Sequence, residues 1–150
     1  MNTLNKVIKD KILIAALPDV PFDGWSDSCL EAATQKAGYD ANMMRSVFPR
    51  GALDAVVHLS DWANRQMLSV LEKTDPSSLK VRERVTLAVR TRLDILEEYK
   101  EAERLALSLW ARPFRKFEGA KLAWKTADVI WNWAGDTSTD YNYYTKRTLL

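Results

Sequence analysis

LKVRERVTLAVRTRLDILEEY, residues 79–99, decides the fold class. Val81, Val85, Ala88, Val89, Leu93 and Leu96 return at steps of three and four, whereas a half-buried strand would alternate every second residue. At 100° per residue these side chains form an apolar face, while Arg82, Arg90 and Asp94 lie elsewhere on the cylinder. Arg90 and Asp94 stand four residues apart, an arrangement worth about 0.2–0.5 kcal/mol on an exposed helix.

Outward from this helix the same periodicity continues in both directions. Toward the C-terminus a helix is expected from Glu101 to Ala111, ended by Pro113. Another spans about Gly119 to Ala134 with Gly135 as its stop, and GDTSTD (135–140) supplies caps for a last helix from Asp140 onward. Toward the N-terminus, Thr74-Asp75-Pro76-Ser77-Ser78 reads as a loop. Before it lies a long apolar-periodic segment carrying Leu53, Val56, Val57, Met67, Leu68 and Leu71.

Earlier still, a short helix is expected over Asp40–Val47, preceded by one that Ser26 or Asp27 caps and Gly38 ends. The first helix carries Ile8, Ile12, Ala15 and Ala16 on one stripe and is closed by Pro18 and the Asp23-Gly24 turn. The expectation is a single all-α domain over residues 1–150. Residues 1–50 form a three-helix, helix-turn-helix-like unit, and residues 51–150 a helical bundle. No repeat, low-complexity tract or linker divides them.

Composition narrows the function classes. The chain has 150 residues and is 47% apolar, enough to build a core without staples. Its 22 basic residues nearly match 20 acidic ones, so no global field recruits nucleic acid or an anionic membrane. Cys29 is the one cysteine, which excludes an internal disulfide and fits a reducing compartment. The N-terminal apolar stretch is broken by Lys9, Asp10 and Lys11 and carries no small-residue cleavage pattern, so neither a signal nor a transit peptide is read there. No apolar run approaches the ~20 residues of a spanning helix. A cytoplasmic protein, peripheral to the inner membrane of a bacterium, is expected.

Enzyme chemistry finds few candidates. The one histidine, His58, has Ala55 three residues before it, so it lacks the Glu-x-x-His pairing of helical di-iron sites. Zinc sites of the usual kinds need more Cys or His. Glu97 and Glu98 point about 100° apart and do not converge on one bond. No Gly-rich turn cradles phosphate. A noncatalytic protein without a metal is expected.

The segment from Ile12 to Leu53, ending KAGYDANMMRSVFPRGAL, resembles the helix-turn-helix of tetracycline-repressor-type proteins in its landmarks Ala37-Gly38, Phe48-Pro49 and Ala52-Leu53. That implies a repressor-like helical scaffold, and a ligand-responsive transcriptional regulator as the rival function. The presumed reading helix, DANMMRSV (40–47), opens with an acid and offers one basic residue, Arg45. Base-edge readout needs Arg, Lys, Asn or Gln together with phosphate anchors. A structural use of the motif, without nucleic acid, is the expectation.

The C-terminal fifth is the most informative region. Leu122, Ala123, Trp124, Ala127, Val129, Ile130, Trp131, Trp133 and Ala134 together occupy about 200° of one helix, leaving Lys121, Lys125, Asp128 and Asn132 as the polar strip. That arc is wider than one core face needs, so part of it should meet a ligand or another protein. In the last helix Tyr141, Tyr144 and Thr148 share one side, and Tyr143, Arg147 and Leu150 the other. Tyr, Trp and Arg are the usual composition of interface hot spots.

Three stretches carry a family resemblance: PDVPFDGWSD (18–27), KVRERVTLAVRTRLDILEEYKEA (80–102) and AWKTADVIWNWAGDTSTDYNYYTKRTLL (123–150). Through them most of the chain resembles the ubiquinone (coenzyme Q) biosynthesis accessory lipid-binding protein family, in its alphaproteobacterial and mitochondrial branch. The resemblance implies a repressor-like all-α fold that has lost DNA binding, a hydrophobic pocket for isoprenoid lipid or phospholipid, and peripheral membrane contact. It also implies a partner, demethoxyubiquinone hydroxylase, a di-iron monooxygenase to which a quinone intermediate is presented. No cofactor is expected beyond such a bound lipid or quinone.

By position, Asp128, Trp131, Asp140, Tyr143, Tyr144 and Arg147 match the family's partner-binding surface, with Tyr143 where Trp is frequent. Leu122, Ile130, Trp133 and Tyr141 are the lipid-binding candidates, and a homodimer is expected. The resemblance further implies a chain that continues past the Lys146-Arg147 block, so this one reads as C-terminally shortened, without the segment that helps close the pocket. LWARPFRKFEG (109–119) departs from the family pattern and sets basic residues beside two Phe, a composition suited to a membrane interface.

Overall fold

The computed structural model describes residues 3–135. Among these residues the regular elements are helical: eight α-helices and two short 3₁₀ turns. They group into two compact units. One holds residues up to Trp62 together with Tyr99–Lys116, the other Ala63–Glu98 together with residues from Phe117 onward.

The first unit is built from α1 (Thr3–Ala16), α2 (Val20–Asp23), α3 (Asp27–Lys36), α4 (Met43–Val47), the opening turns of α5 (Ala52–Leu71) and α7 (Lys100–Trp110). α1 packs on α3, and the stripe Ile8, Ile12, Leu13 and Ala16 is buried with Leu30, Ala33, Met44, Phe48 and Leu59. Ser26 caps α3, its Oγ accepting from the Cys29 amide at 3.2 Å, as the residue types require. α2 arises inside the stretch read as a turn: Pro21, within its first turn, sits where its missing N–H costs nothing, and Gly24 ends it at φ +71°. The third expected helix is shorter than its pattern. Asp40 accepts from the Asn42 amide at 2.8 Å, satisfying the backbone locally, and α4 begins only at Met43.

Two polar contacts fix this unit. Trp25 Nε1 donates to the Ala102 carbonyl at 2.9 Å, tying α7 to the turn before α3. Buried His58 places Nε2 2.6 Å from Asp10 Oδ1 and sets its ring edge-on to Phe48 at 5.9 Å. The lone histidine therefore packs in the core.

The second unit contains the rest of α5, α6 (Val81–Glu97) and α8 (Lys116–Gly135) from Phe117 on. Met67, Leu71, Ala88 and Ile130 form its core, with Leu68, Val85, Leu87, Ile95, Val129 and Trp133 packed around them. The apolar face read for α6 is rotated in the fold. Val89 and Leu93 are 42% and 61% exposed, while Arg84 is buried on the line that carries Ala88 and Leu96. Arg84 reaches that position because its guanidinium finds acceptors there, donating from Nε to the Leu79 carbonyl at 2.9 Å and from Nη1 to the Ala134 carbonyl at 2.7 Å. On the same line, half-buried Arg92 donates to Asn64 Oδ1 at 2.8 Å. Among the described residues no helix is long and apolar enough to cross a membrane.

Candidate functional site

α8 begins three residues earlier than the pattern suggests and runs to Gly135, the last of the described residues. In its last described turn the Ala134 carbonyl accepts a buried hydrogen bond from Arg84 Nη1.

The wide apolar arc of α8 divides in the fold. Ile130, Trp131 and Ala134 are buried, Leu122, Val129 and Trp133 are half-buried, and Trp124, Asp128 and Asn132 are exposed. Val129, Asn132 and Trp133 line an open cleft of about 370 Å³ whose other residues, Leu68 and Glu72, lie at the end of α5 and just beyond it. At the ~30 Å³ that a water-sized group occupies in a liquid, this admits roughly a dozen non-hydrogen atoms. A substituted ring has about that many atoms. The walls match such a ligand in kind, with three apolar side chains for its body, an amide that both donates and accepts, and a carboxylate acceptor.

A second feature lies on the adjacent face. Trp131 is buried, and its indole N–H has no hydrogen-bond acceptor among the described residues. Leaving such a donor unsatisfied costs about 1–3 kcal/mol.

Of the residues singled out from the sequence as lipid-binding, Trp133 lines the cleft, Ile130 lies in the core against Met67, Leu71 and Ala88, and Leu122 is half-buried away from the cleft lining. Of the partner set, Asp128 faces solvent and Trp131 points inward. Asp140, Tyr141, Tyr143, Tyr144 and Arg147 lie outside the described residues. Sequence reasoning missed Leu68 and Glu72 as cleft residues. Their spacing of four marks a shared helical face but says nothing of what stands opposite. It also placed Asn132 in a plain polar strip.

The helix-turn-helix landmarks have local structural uses. Arg45, the one basic residue of the presumed reading helix, donates to Asp27 Oδ2 at 2.7 Å and to the Pro49 carbonyl at 3.2 Å. Asp27 also accepts from the Ala52 amide at 3.3 Å, capping α5. The Arg45 hydrogen bond, ahead of the backbone bond and the cation's charge, holds the Asp27 carboxyl below the ordinary carboxylate range. Among the described residues no group of three or more His, Cys, Asp or Glu side chains could hold a metal ion.

The described residues form an all-α scaffold with an open, mostly apolar cleft on its last described helix. Residues 117–150 match the COQ9 family model. Over 95% of its length the chain is 31% identical to "Ubiquinone biosynthesis protein COQ9, mitochondrial" of Drosophila melanogaster, covering 45% of that protein. It is 30% identical to the protein of the same name from Homo sapiens, covering 47%. A more distant relative, the "Probable ubiquinone biosynthesis protein coq9, mitochondrial" of Dictyostelium discoideum, is 26% identical with 48% covered. The chain belongs to the COQ9 family, and it spans about half the length of the curated relatives it matches.

Proposed function

We propose that this chain is a noncatalytic accessory of ubiquinone biosynthesis that holds the ring end of an isoprenoid quinone intermediate, or a lipid of similar shape, and presents it to a quinone-ring hydroxylase. The observation that carries the reading is the cleft of Leu68, Glu72, Val129, Asn132 and Trp133, sized for a substituted ring and lined for one. The names of the relatives supply the pathway. Asp128 on the outer face of α8 and the aromatic block Asp140, Tyr143, Tyr144 and Arg147 form the docking surface in this reading. Trp131 belongs to that surface in this reading, and Leu122, Ile130, Trp133 and Tyr141 are the residues assigned to the lipid. The seat of action is the face of a membrane where quinones are made; the named relatives are mitochondrial.

Native mass spectrometry of the chain purified from its host tests the ligand half. A bound isoprenoid quinone or lipid is expected on a dimer, and Val129→Trp, which fills the cleft, should empty it while the helical circular-dichroism spectrum persists. An empty wild-type protein, or equal occupancy in the variant, overturns the assignment. For the partner half, capture of the hydroxylase should fail when Tyr143 and Tyr144 are both changed to Lys, since aromatic anchors of an interface typically cost ~2 kcal/mol or more when lost.

A further inference from the structure

The polar groups of the cleft differ in what they offer a ligand. Glu72 and Asn132 are both exposed, and they line it together with Leu68, Val129 and Trp133. A carboxylate at neutral pH only accepts hydrogen bonds, whereas an amide both donates and accepts. Neither side chain has a hydrogen-bond or ion-pair partner among the described residues, so both stand ready for a ligand. Glu72 lies one residue past the end of α5, and its amide donates to the Leu68 carbonyl at 2.9 Å. The carboxylate and the apolar side chain of Leu68 therefore belong to one turn at the C-terminal edge of α5. There the partial negative charge at the end of a helix of 20 residues adds to that of the carboxylate. One wall of the cleft is thus an acceptor set in a negative potential.

A para-quinone ring carries two carbonyl oxygens, which only accept; its hydroquinone carries two hydroxyls, which also donate. Against the Glu72 carboxylate a carbonyl oxygen sets acceptor to acceptor, while a hydroxyl makes a charge-assisted hydrogen bond, the stronger kind. The donors of the lining, the Asn132 amide and the Trp133 indole, can meet an oxygen of either form, so Glu72 alone discriminates between them. We infer that Glu72 makes the cleft selective for the hydroquinone over the quinone form of its ring ligand. The inference rests on the proposed function and deepens it: what the chain holds and presents is the reduced intermediate. Preference for one form also moves the potential of the bound ring. Tenfold tighter binding of the hydroquinone raises its two-electron midpoint by about 30 mV.

Anaerobic equilibrium dialysis of the full chain at neutral pH tests it. The probes are a dimethoxy-methyl-para-benzoquinone carrying a single isoprene unit, whose ring is fully substituted and does not add thiols, and the hydroquinone of the same compound. The hydroquinone is expected to bind roughly tenfold more tightly than the quinone. Glu72→Gln keeps the shape of the side chain and supplies a donor. It should weaken hydroquinone binding, strengthen quinone binding and bring the ratio to about one. Glu72 is exposed, and an unchanged helical circular-dichroism spectrum would show that the variant remains folded. Val129→Trp should abolish binding of both forms. Equal affinities in the wild type, or an unchanged ratio in Glu72→Gln, overturn the inference, and the cleft assignment survives if Val129→Trp still abolishes binding. Absence of binding by either form, or full binding by Val129→Trp, overturns both.

Discussion

Arg84 and Ala134, fifty positions apart, are joined by a buried hydrogen bond of 2.7 Å from guanidinium to carbonyl. A charged side chain on α6 thus ties down the last described turn of α8, and the same guanidinium holds the carbonyl of Leu79, just before its own helix. Arg84→Met keeps the length and removes both bonds. It should lower the urea-unfolding free energy by about 2–3 kcal/mol, the range for hydrogen bonds to charged groups. Arg84→Lys should recover only part of this, because a point ammonium cannot reproduce the fork. Full recovery by Lys would show that charge alone matters.

Gly51 adopts φ +65°, and a Cβ there would lie 2.1 Å from Asp27 Oδ1. Gly51→Ala combines left-handed backbone strain with displacement of the carboxylate that caps α5, so a loss of more than about 1 kcal/mol is expected. In a double-mutant cycle, Asp27→Ala should relieve part of that cost, giving a coupling of roughly 0.5 kcal/mol or more. Additive losses would mean that the clash relaxes without disturbing Asp27.

The Asp27 carboxyl titrates below its ordinary value because Arg45 hydrogen-bonds to it. A depressed folded-state value contributes stability above the unfolded pKa of about 3.9, lost as pH falls through the folded value. Both partners are half-exposed, so the contribution is small and salt-screened. Urea midpoints followed from pH 6 down to about pH 2 should decline less steeply below about pH 4 for Asp27→Asn than for wild type. Identical slopes would remove Asp27 from the acid response.

Ile130 and Trp133 separate the two roles of α8. Ile130→Ala should cost about 2–5 kcal/mol of stability by opening a cavity against Met67, Leu71 and Ala88. Trp133→Ala, at the half-buried cleft rim, should cost less stability and lower ligand occupancy more. Paired denaturation and native mass spectrometry read both quantities. The reverse ranking would move the ligand site away from Trp133.

The all-helical class was legible because apolar spacing is a local property. Ser26 before Asp27 marked a helix start correctly because caps depend on their own few residues. Asp40 misled for a related reason: an Asx side chain can open a helix or hold a turn, and here it holds the turn. The face of α6 was misjudged because Arg84 reads as a surface residue until the Ala134 carbonyl is placed beside it. The site was half legible. Trp133 stood out by composition, but its opposing wall, Leu68 and Glu72, comes from another helix and its C-terminal edge, and no pattern within α8 announces it. That the arc of α8 is too wide for a single buried face was correct: the excess is Trp124 and the cleft rim.

The indole bond from Trp25 to Ala102 spans seventy-seven positions, and the unit it closes is interrupted by residues 63–98. As the chain is synthesised, its opening helices can collapse early, but they acquire this contact only after the whole intervening stretch has left the ribosome. Such long loop closure slows the final step of assembly. During that interval the first unit persists without this contact.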